Sequence, residues 1–118
     1  MRRVADAMHT PSVVVEPSTT VQEASARMLD AHVHAAVVVD DGAVCGLATA
    51  ARVSTALSEG YDASETPVGA IAEAEPTLVA PDDALAEAHQ LMRSAGRTFA
   101  AVVGSKREPL GLLEDPEA

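Results

Sequence analysis

The chain has 118 residues, of which 47% are apolar, and its aromatic residues are Phe99 and Tyr61. This length suits one compact domain, whose core must be built mainly from aliphatic side chains and alanine. Eight basic and eighteen acidic residues give a formal net charge of −10, which repels nucleic-acid phosphates and anionic lipid headgroups and makes both unexpected as partners.

The apolar runs, the N-terminal residues and the cysteine content indicate the compartment. No apolar run approaches the roughly 18 residues needed to span a bilayer, and the N-terminal residues have no continuous hydrophobic segment of the secretory type. Cys45 is the single cysteine, so no internal disulfide can form. We therefore expect a cytoplasmic protein.

The first predicted elements are a short strand and a helix. Residues 13–15 form a β-branched run that Pro17 ends, which is typical of a strand. Thr19 or Thr20 supplies the N-cap of the helix, and the spacing from Thr20 to Glu23 matches a capping box. The apolar residues of this helix recur on one face, as Val21, Ala24, Met28 and Ala31.

A β-hairpin and a further helix come next. Residues 36–39 and 44–48 are apolar runs on either side of the turn signal Asp-Asp-Gly at residues 40–42. Because the apolar residues are continuous and do not alternate with polar ones, we expect both faces of these strands to be covered. Residues 51–59 have the spacing of a helix that ends at Gly60.

The second half of the chain repeats the first. A shift of 64 residues aligns residues 4–39 with residues 68–103, and one inserted residue in the hairpin turn then aligns Gly46 with Gly111. Asp82 or Asp83 is expected to cap the second-half helix at its start, and Gly96 at its end. The predicted elements are a strand at 77–79, a helix with Leu85, Ala88, Met92 and Ala95 on one face, and hairpin strands at 99–103 and 110–113.

These elements, present twice in one order, carry a family resemblance. The segments that show it best are "VADAMHTPSVVV", "PSTTVQEASARML" and "VHAAVVVDDGAVCGLAT" in the first half. The chain resembles a tandem pair of CBS domains, or Bateman module, over about residues 4–59 and 67–115. The resemblance implies an α/β (α+β) fold of two β-α-β-β-α repeats, related by an approximate twofold axis and packed sheet to sheet, with a cleft on each side.

Domain organisation follows from this resemblance. We expect the first repeat with its lead helix at residues 1–59, a linker at 60–66 and the second repeat at 67–118. The second repeat lacks its last helix, because too few residues follow its hairpin. In such modules the lead helix packs near the partner repeat, so we expect residues 3–8 to cover the sheet face left exposed there. The resemblance, together with the small buried area of so short a chain, also implies a homodimer.

The resemblance further implies a regulatory ligand. Family members commonly bind adenine compounds in the clefts, which suggests AMP, ADP, ATP, S-adenosylmethionine or NAD(H) and no required cofactor. Adenine needs apolar walls, ribose hydroxyls need an acceptor, and phosphates need basic side chains or helix N-terminal amides. The implied ligand-binding positions are Thr10, Ser12, Val13, His34, Ala36, Thr49, Arg52, Arg97, Thr98 and Glu117.

The position that contacts ribose departs from the family's nucleotide pattern. That pattern runs Gly, two apolar residues, Ser or Thr, two variable residues and Asp, but here the residue in the Asp position is Arg52. A guanidinium has five donors and no acceptor, so Arg52 could clamp a phosphate or carboxylate, or pair with Glu59 or another surface acid. Glu117 retains a carboxylate at the matching place in the second repeat.

Other positions also have a purely structural interpretation. Thr10 could simply turn the chain before the first strand, and His34 could be an imidazole at a strand end with no ligand. Cys45 lies in an apolar strand, where a thiol is usually inert. His32 and His34 could share a face of a strand, but a zinc site needs three or four converging ligands, and we expect none.

Three functional classes remain open. The leading one is a small-molecule sensor that acts in trans on an unknown protein partner. The second is a ligand-free structural module that dimerises through alanine-rich helix faces, with Ala24, Ala31, Ala88 and Ala95 as the contacts. The third is an enzyme or metalloprotein built on His32, His34 and a distant ligand. The sequence contains no recognisable catalytic motif, so we do not expect an enzyme.

Overall fold

The computed structural model describes residues 1–11 and 13–117. The first half contains α1 (Val4–Ala7), β1 (Val14–Val15), α2 (Val21–Ala31), β2 (Ala35–Asp40), β3 (Ala43–Thr49) and α3 (Ala50–Ser58). A 3-10 helix (Val68–Ala70) leads into β4 (Leu78–Val79), α4 (Leu85–Ala95), β5 (Phe99–Val103) and β6 (Pro109–Glu114). The predicted mixture of helices and sheets, with one unit present twice, is confirmed.

Each repeat builds a three-stranded sheet. β1 pairs with β2 in parallel and β2 pairs with β3 in antiparallel, and β4, β5 and β6 follow the same order. Both hairpins contain a register shift at matching positions, after Val38 in the first and after Val102 in the second. The two sheets therefore share their topology and also their local irregularity.

Asp41 and Gly42 form the turn of the first hairpin. Their φ angles are 53° and 80°, and they separate Asp40 from Ala43, which pair across the hairpin. A two-residue loop with two positive φ angles is the type I′ turn, whose twist matches that of the strands and which favours Asp-Gly. The turn signal in the sequence therefore located the hairpin correctly.

The two long helices begin differently. Thr20 caps α2 by accepting a hydrogen bond from a first-turn backbone amide. The predicted aspartate cap of α4 was wrong, because its N-cap is Ala84, which has no side-chain hydrogen bond. The Asp83 carboxylate accepts a hydrogen bond from the Ala80 amide at 2.9 Å instead. Asp83 lies one residue too early to reach the first turn of the helix.

Three groups of buried side chains form the core. One lies between the first sheet and its helices, and another occupies the matching place in the second repeat. The third lies where the sheets face each other and includes Val37, Leu47 and Ala101. Along β2, Ala36 and Val38 join the helix side while Val37 joins the sheet–sheet side. Both faces of this strand are covered, as its continuous apolar pattern predicted.

The segment that precedes each repeat pairs with a strand of the other repeat. We call residues 2–9 and 66–73 the lead segments. His9 exchanges two backbone hydrogen bonds with Leu112 of β6, at 2.9 and 2.7 Å. Glu73 exchanges two with Leu47 of β3, at 2.8 and 3.3 Å. The lead segments are thus exchanged between the repeats by the same approximate twofold symmetry that relates the sheets.

The exchange continues into the short helices. The Val4 amide donates to the carbonyl of Asp83 at 2.9 Å, and the Val68 amide donates to the carbonyl of Thr19 at 2.6 Å. Val4 is fully buried in the core of the second repeat, whereas Val68 is fully buried in that of the first. Each repeat therefore completes its core with a valine from the other.

The first lead segment does not fill the place of the missing helix. α1 lies on the second repeat where the 3-10 helix lies on the first, because Val4 and Val68 bond equivalent carbonyls. α3 covers the first repeat in addition, through buried Val53 and Ala56. The first lead segment packs on the partner repeat as expected. The expectation that it covers the position of the missing last helix was wrong, because α1 occupies the position that matches the 3-10 helix and not the position that matches α3.

An ion pair holds the chain after β6. Arg93 Nε donates to Oδ2 of Asp115 at 2.8 Å, and its Nη2 donates to Oε2 of Glu117 at 3.2 Å. The Asp115 side chain is almost fully buried. Its hydrogen bond with Arg93 holds the pKa of this carboxyl below its usual range. Arg93 thus fastens the segment that aligns with the start of α3.

The alanines predicted to form a dimer face are divided between the core and the surface. Ala24 and Ala88 are buried in the cores, so this part of the prediction was wrong. The large apolar side chains exposed on the helices are Leu29 on α2, Leu57 on α3 and Leu91 on α4. Within residues 1–11 and 13–117, no helix is long and apolar enough to cross a membrane.

Candidate functional site

A cleft lies between the repeats at the start of α3. We call it the Arg52 cleft. Its volume is about 550 Å³, which is within the range of sites for small organic ligands. Both repeats contribute to its lining, which includes His34, Thr49, Arg52, Glu73, Thr98 and Phe99.

The N-terminus of α3 forms part of the Arg52 cleft. Thr49 caps the helix, because its Oγ1 accepts a hydrogen bond from the Arg52 amide at 3.1 Å. Ala50 and Ala51, in the first turn, line the cleft directly. The first amides of a helix carry partial positive charge, so this wall favours an anionic group.

The Arg52 guanidinium is anchored at one nitrogen. Its Nε donates to the carbonyl oxygen of Ile71 at 3.0 Å, in the second lead segment. Among the described residues this guanidinium forms no ion pair. The alternative prediction that Arg52 pairs with Glu59 was therefore wrong. One nitrogen of the guanidinium is therefore fixed on the second lead segment, and Arg52 lines both the Arg52 cleft and a small pocket beside Ile71.

Arg97 is engaged by a carboxylate of the cleft. Its Nη1 lies 2.7 Å from Oε1 of Glu73, and both side chains are more than two-thirds buried. The pair joins Arg97, which follows the C-cap of α4, to the second lead segment. Arg97 therefore holds Glu73 in place and shares its charge with that carboxylate.

A smaller cleft lies on the other side of the approximate twofold axis. It has a volume of about 150 Å³, and we call it the histidine cleft. His9, His32 and His34 line it together with Thr10 and Glu114. His9 aligns with Glu73 and His34 aligns with Thr98, so the two clefts are counterparts with different chemistry.

A family comparison gives a match over the first repeat. Residues 4–59 match the family model described as CBS domain. None of the curated proteins compared with the chain matches it.

Solved structures extend the likeness to both repeats. CBS domain protein PAE2072 from Pyrobaculum aerophilum, solved with AMP, has a TM-score of 0.87 at 21% identity, over 96% of this chain and 87% of its own. The CBS domain pair of protein MJ0100, solved with 5′-methylthioadenosine and S-adenosyl-L-methionine, has a TM-score of 0.86 at 17% identity, over 96% and 92%. CBSX2 in complex with AMP has a TM-score of 0.79 at 24% identity, over 97% and 90%. The chain has the fold of a tandem pair of CBS domains, and its first repeat matches the family model.

The CBS pair brings five of the predicted binding residues to its clefts. Thr49, Arg52 and Thr98 line the Arg52 cleft. Thr10 lines the histidine cleft, and His34 lines both. Arg97, also predicted, reaches the Arg52 cleft through its ion pair with the lining residue Glu73.

Other predicted side chains of the CBS pair lie away from the clefts. Val13 and Ala36 are buried between the first sheet and its helices, so their side chains belong to the core. Glu117 is exposed and pairs with Arg93. The predicted position Ser12 lies outside the described residues.

The sequence did not identify several of the residues that line the clefts. Glu73 belongs to a lead segment, and its place in the cleft follows from the exchange between repeats. Phe99 was assigned only to a strand, although the repeat alignment matches it with Ala35, the residue that follows His34. Glu114, at the end of β6, lines both clefts.

The CBS pair also presents a free thiol. Cys45 is exposed on β3, although an apolar strand suggested an inert buried position. Partial burial and the nearby Asp40 carboxylate raise its pKa, which lowers the fraction of reactive thiolate. In the part of the chain that the structure describes, no three His, Cys, Asp or Glu side chains form a group that could hold a metal ion.

Proposed function

We propose that this CBS pair is a regulatory module that binds an adenine nucleotide, or a related anionic ligand, in the Arg52 cleft. The observation that carries the proposal is the composition of that cleft, which combines a guanidinium, a helix N-terminus and an aromatic ring in about 550 Å³. Solved CBS pairs of the same fold contain AMP, or 5′-methylthioadenosine and S-adenosyl-L-methionine. The proposed role is binding that alters a partner protein in trans, without turnover of the ligand.

The base and the phosphate of such a ligand each have a suitable group in the cleft. Phe99 offers an apolar face to the adenine ring. Arg52, His34 and the first amides of α3 suit a phosphate, because charge-assisted hydrogen bonds to oxyanions are strong. We propose one ligand for each chain, since the histidine cleft, at about 150 Å³, is smaller than the usual small-molecule site.

Substitution of Arg52 by alanine tests the proposal most directly. We expect AMP to raise the thermal stability of the unmodified protein, by about 2.7 kcal/mol at a concentration 100 times its Kd. Arg52→Ala should weaken AMP binding roughly tenfold to hundredfold, because it removes hydrogen bonds between charged groups. Thermal shift followed by titration calorimetry measures both effects, and His34→Ala should weaken binding less.

Arg27→Ala is the matched control, since this arginine is exposed on α2 outside both clefts. It should bind AMP like the unmodified protein. The panel also includes ADP, ATP, S-adenosylmethionine and NADH, each tested as a separate ligand. No stabilisation by any of the five compounds would exclude the sensor and leave the structural role as the better explanation.

An apolar groove favours self-association as a second candidate function. The groove lies between α2 and α3, has a volume of about 620 Å³ and is flanked by Leu29 and Leu57, which are 75% and 47% exposed. Exposed apolar surface of this kind is typical of an interaction site. We propose that a second copy of the chain covers it, since a twofold interface places the same uncharged surface on both partners.

Light scattering tests this homodimer. At tens of micromolar the unmodified chain should show twice its own mass, and Leu29→Glu should show a single-chain mass because it places a charge in the groove. Leu110→Glu, on β6, is the control for an added charge elsewhere and should remain dimeric. A single-chain mass for the unmodified protein would exclude the dimer.

A further inference from the structure

The Arg52 cleft lacks an acceptor at the position where the nucleotide pattern has Asp. Arg52 has donors only, so it cannot accept hydrogen bonds from ribose hydroxyls. Two carboxylates nevertheless line the described part of this cleft, Glu73 and Glu114. Either carboxylate could supply the missing acceptor, and the two differ in how firmly they are held.

Glu73 is the carboxylate that the structure holds in place. Its backbone is fixed to β3 by the two hydrogen bonds with Leu47, and its Oε1 lies 2.7 Å from Nη1 of Arg97. Its side chain is only 15% exposed. A carboxylate that is already ordered loses little conformational entropy when a ligand binds, which favours selective recognition.

Glu114 is held less firmly. It is exposed at the end of β6 and lines both clefts. Its side chain takes part in no ion pair with another described residue. Ordering this flexible side chain against a hydroxyl group would cost conformational entropy that Glu73 has already lost on folding.

The second lead segment contacts Arg52 and also contributes a carboxylate to the Arg52 cleft. The Ile71 carbonyl accepts a hydrogen bond from Arg52 Nε, and Glu73 follows two residues later. One short segment thus positions both a group for an anion and an acceptor for hydroxyl donors. Ribose 5′-phosphate carries both kinds of group within one small unit.

We propose that Glu73 is the carboxylate that accepts hydrogen bonds from the ribose hydroxyls of a nucleotide in the Arg52 cleft, with Arg97 as its positioning residue. This inference rests on the proposed function. The acceptor then comes from the lead segment of the second repeat, and not from α3. The counterpart of Glu73 in the histidine cleft is His9, so that cleft has an imidazole where the Arg52 cleft has this carboxylate.

Comparison of AMP with 2′,3′-dideoxy-AMP tests this role by titration calorimetry. The unmodified protein should bind AMP at least about tenfold more tightly, because hydrogen bonds to a charged acceptor are among the stronger ones. Glu73→Gln should bring the affinity ratio to within about twofold, since a neutral amide oxygen is a weaker acceptor. Binding of dideoxy-AMP itself should change little, because that compound lacks both hydroxyl groups.

Two further variants make the result decisive. Glu75→Gln removes a nearby exposed carboxylate outside the cleft and should keep the full ratio. Glu114→Gln tests the competing acceptor. The assignment to Glu73 would be overturned if only Glu114→Gln lost the preference for AMP over dideoxy-AMP, or if Glu73→Gln kept the full preference. Circular dichroism melting of each variant confirms that it is folded. Failure of the unmodified protein to bind any of the five compounds would reject the proposed function itself, whereas equal binding of AMP and dideoxy-AMP would reject only the role of Glu73.

Discussion

Removal of residues 1–8 should lower the melting temperature by roughly 10 °C or more. Val4 is fully buried in the core of the second repeat, and burial of a valine is worth about 1.5–3 kcal/mol. The deletion also breaks inter-repeat backbone hydrogen bonds, including those that join Val4 to Asp83 and Arg2 to Leu85. For a domain of this size, 1 kcal/mol corresponds to roughly 4 °C. Circular dichroism melting measures the change.

Two smaller changes control for the effect of truncation. Removal of Met1 alone, which is fully exposed, should leave the melting temperature unchanged. Val4→Asp keeps the chain length but places a charge in the core, and it should reproduce most of the loss. If the protein without residues 1–8 melted like the full chain, the lead segment would contribute nothing to the second repeat.

Gly46→Val should destabilise the protein by roughly 3 kcal/mol. A Cβ atom at Gly46 would lie 3.0 Å from the carbonyl oxygen of Glu73, where the second lead segment crosses β3. This oxygen is backbone, and Glu73 is tied to Leu47 by two hydrogen bonds, so the segment cannot move without losing them. Urea unfolding monitored by circular dichroism measures the loss of free energy.

Gly104→Val is the matched control for the Gly46 variant. A Cβ atom at Gly104 would meet the carboxylate of Glu108, which is the far end of a flexible side chain and accepts an exposed hydrogen bond from the Lys106 amide. That side chain can turn aside, so the loss should stay below about 1 kcal/mol. Equal losses in the two variants would show that the crossing segment is not what requires glycine at position 46.

The repeat was the part of the fold that the sequence predicted best. A constant shift between two halves reports their similarity without any knowledge of contacts, and local signals such as Asp41-Gly42 act within a few residues. Gly96 has a φ angle of 67° and ends α4, as predicted. These features depend on neighbouring residues, which is why the sequence reveals them.

The exchange of lead segments could not be predicted in detail. α1 has only four residues, too few for a periodic pattern, and the pairing of His9 with Leu112 joins positions far apart in the chain. Both the placement of α1 and the need for glycine at 46 depend on that long-range contact. The sequence showed Gly46 and Gly111, but it did not show that the lead segments pass close to them.

Some of the predicted binding positions lie in the clefts, and others do not. Thr49, Arg52 and Thr98 lie in the Arg52 cleft because strand and helix ends meet there. Val13 and Ala36 were placed on the basis of position alone, and their side chains turn into the core instead. Glu73 had no local signal as a binding residue, since it reaches the cleft only through its pairing with the other repeat.

The exchanged lead segments suggest how such a gene arises. A half-length ancestor with the same exchange would complete its core only by pairing with an identical subunit, as in a domain-swapped dimer. Duplication and fusion of that gene would join the two subunits and free their assembly from protein concentration. After fusion the halves could diverge, and here the lining of the Arg52 cleft contains Arg52 and Glu73, whereas that of the histidine cleft contains His9 and His32.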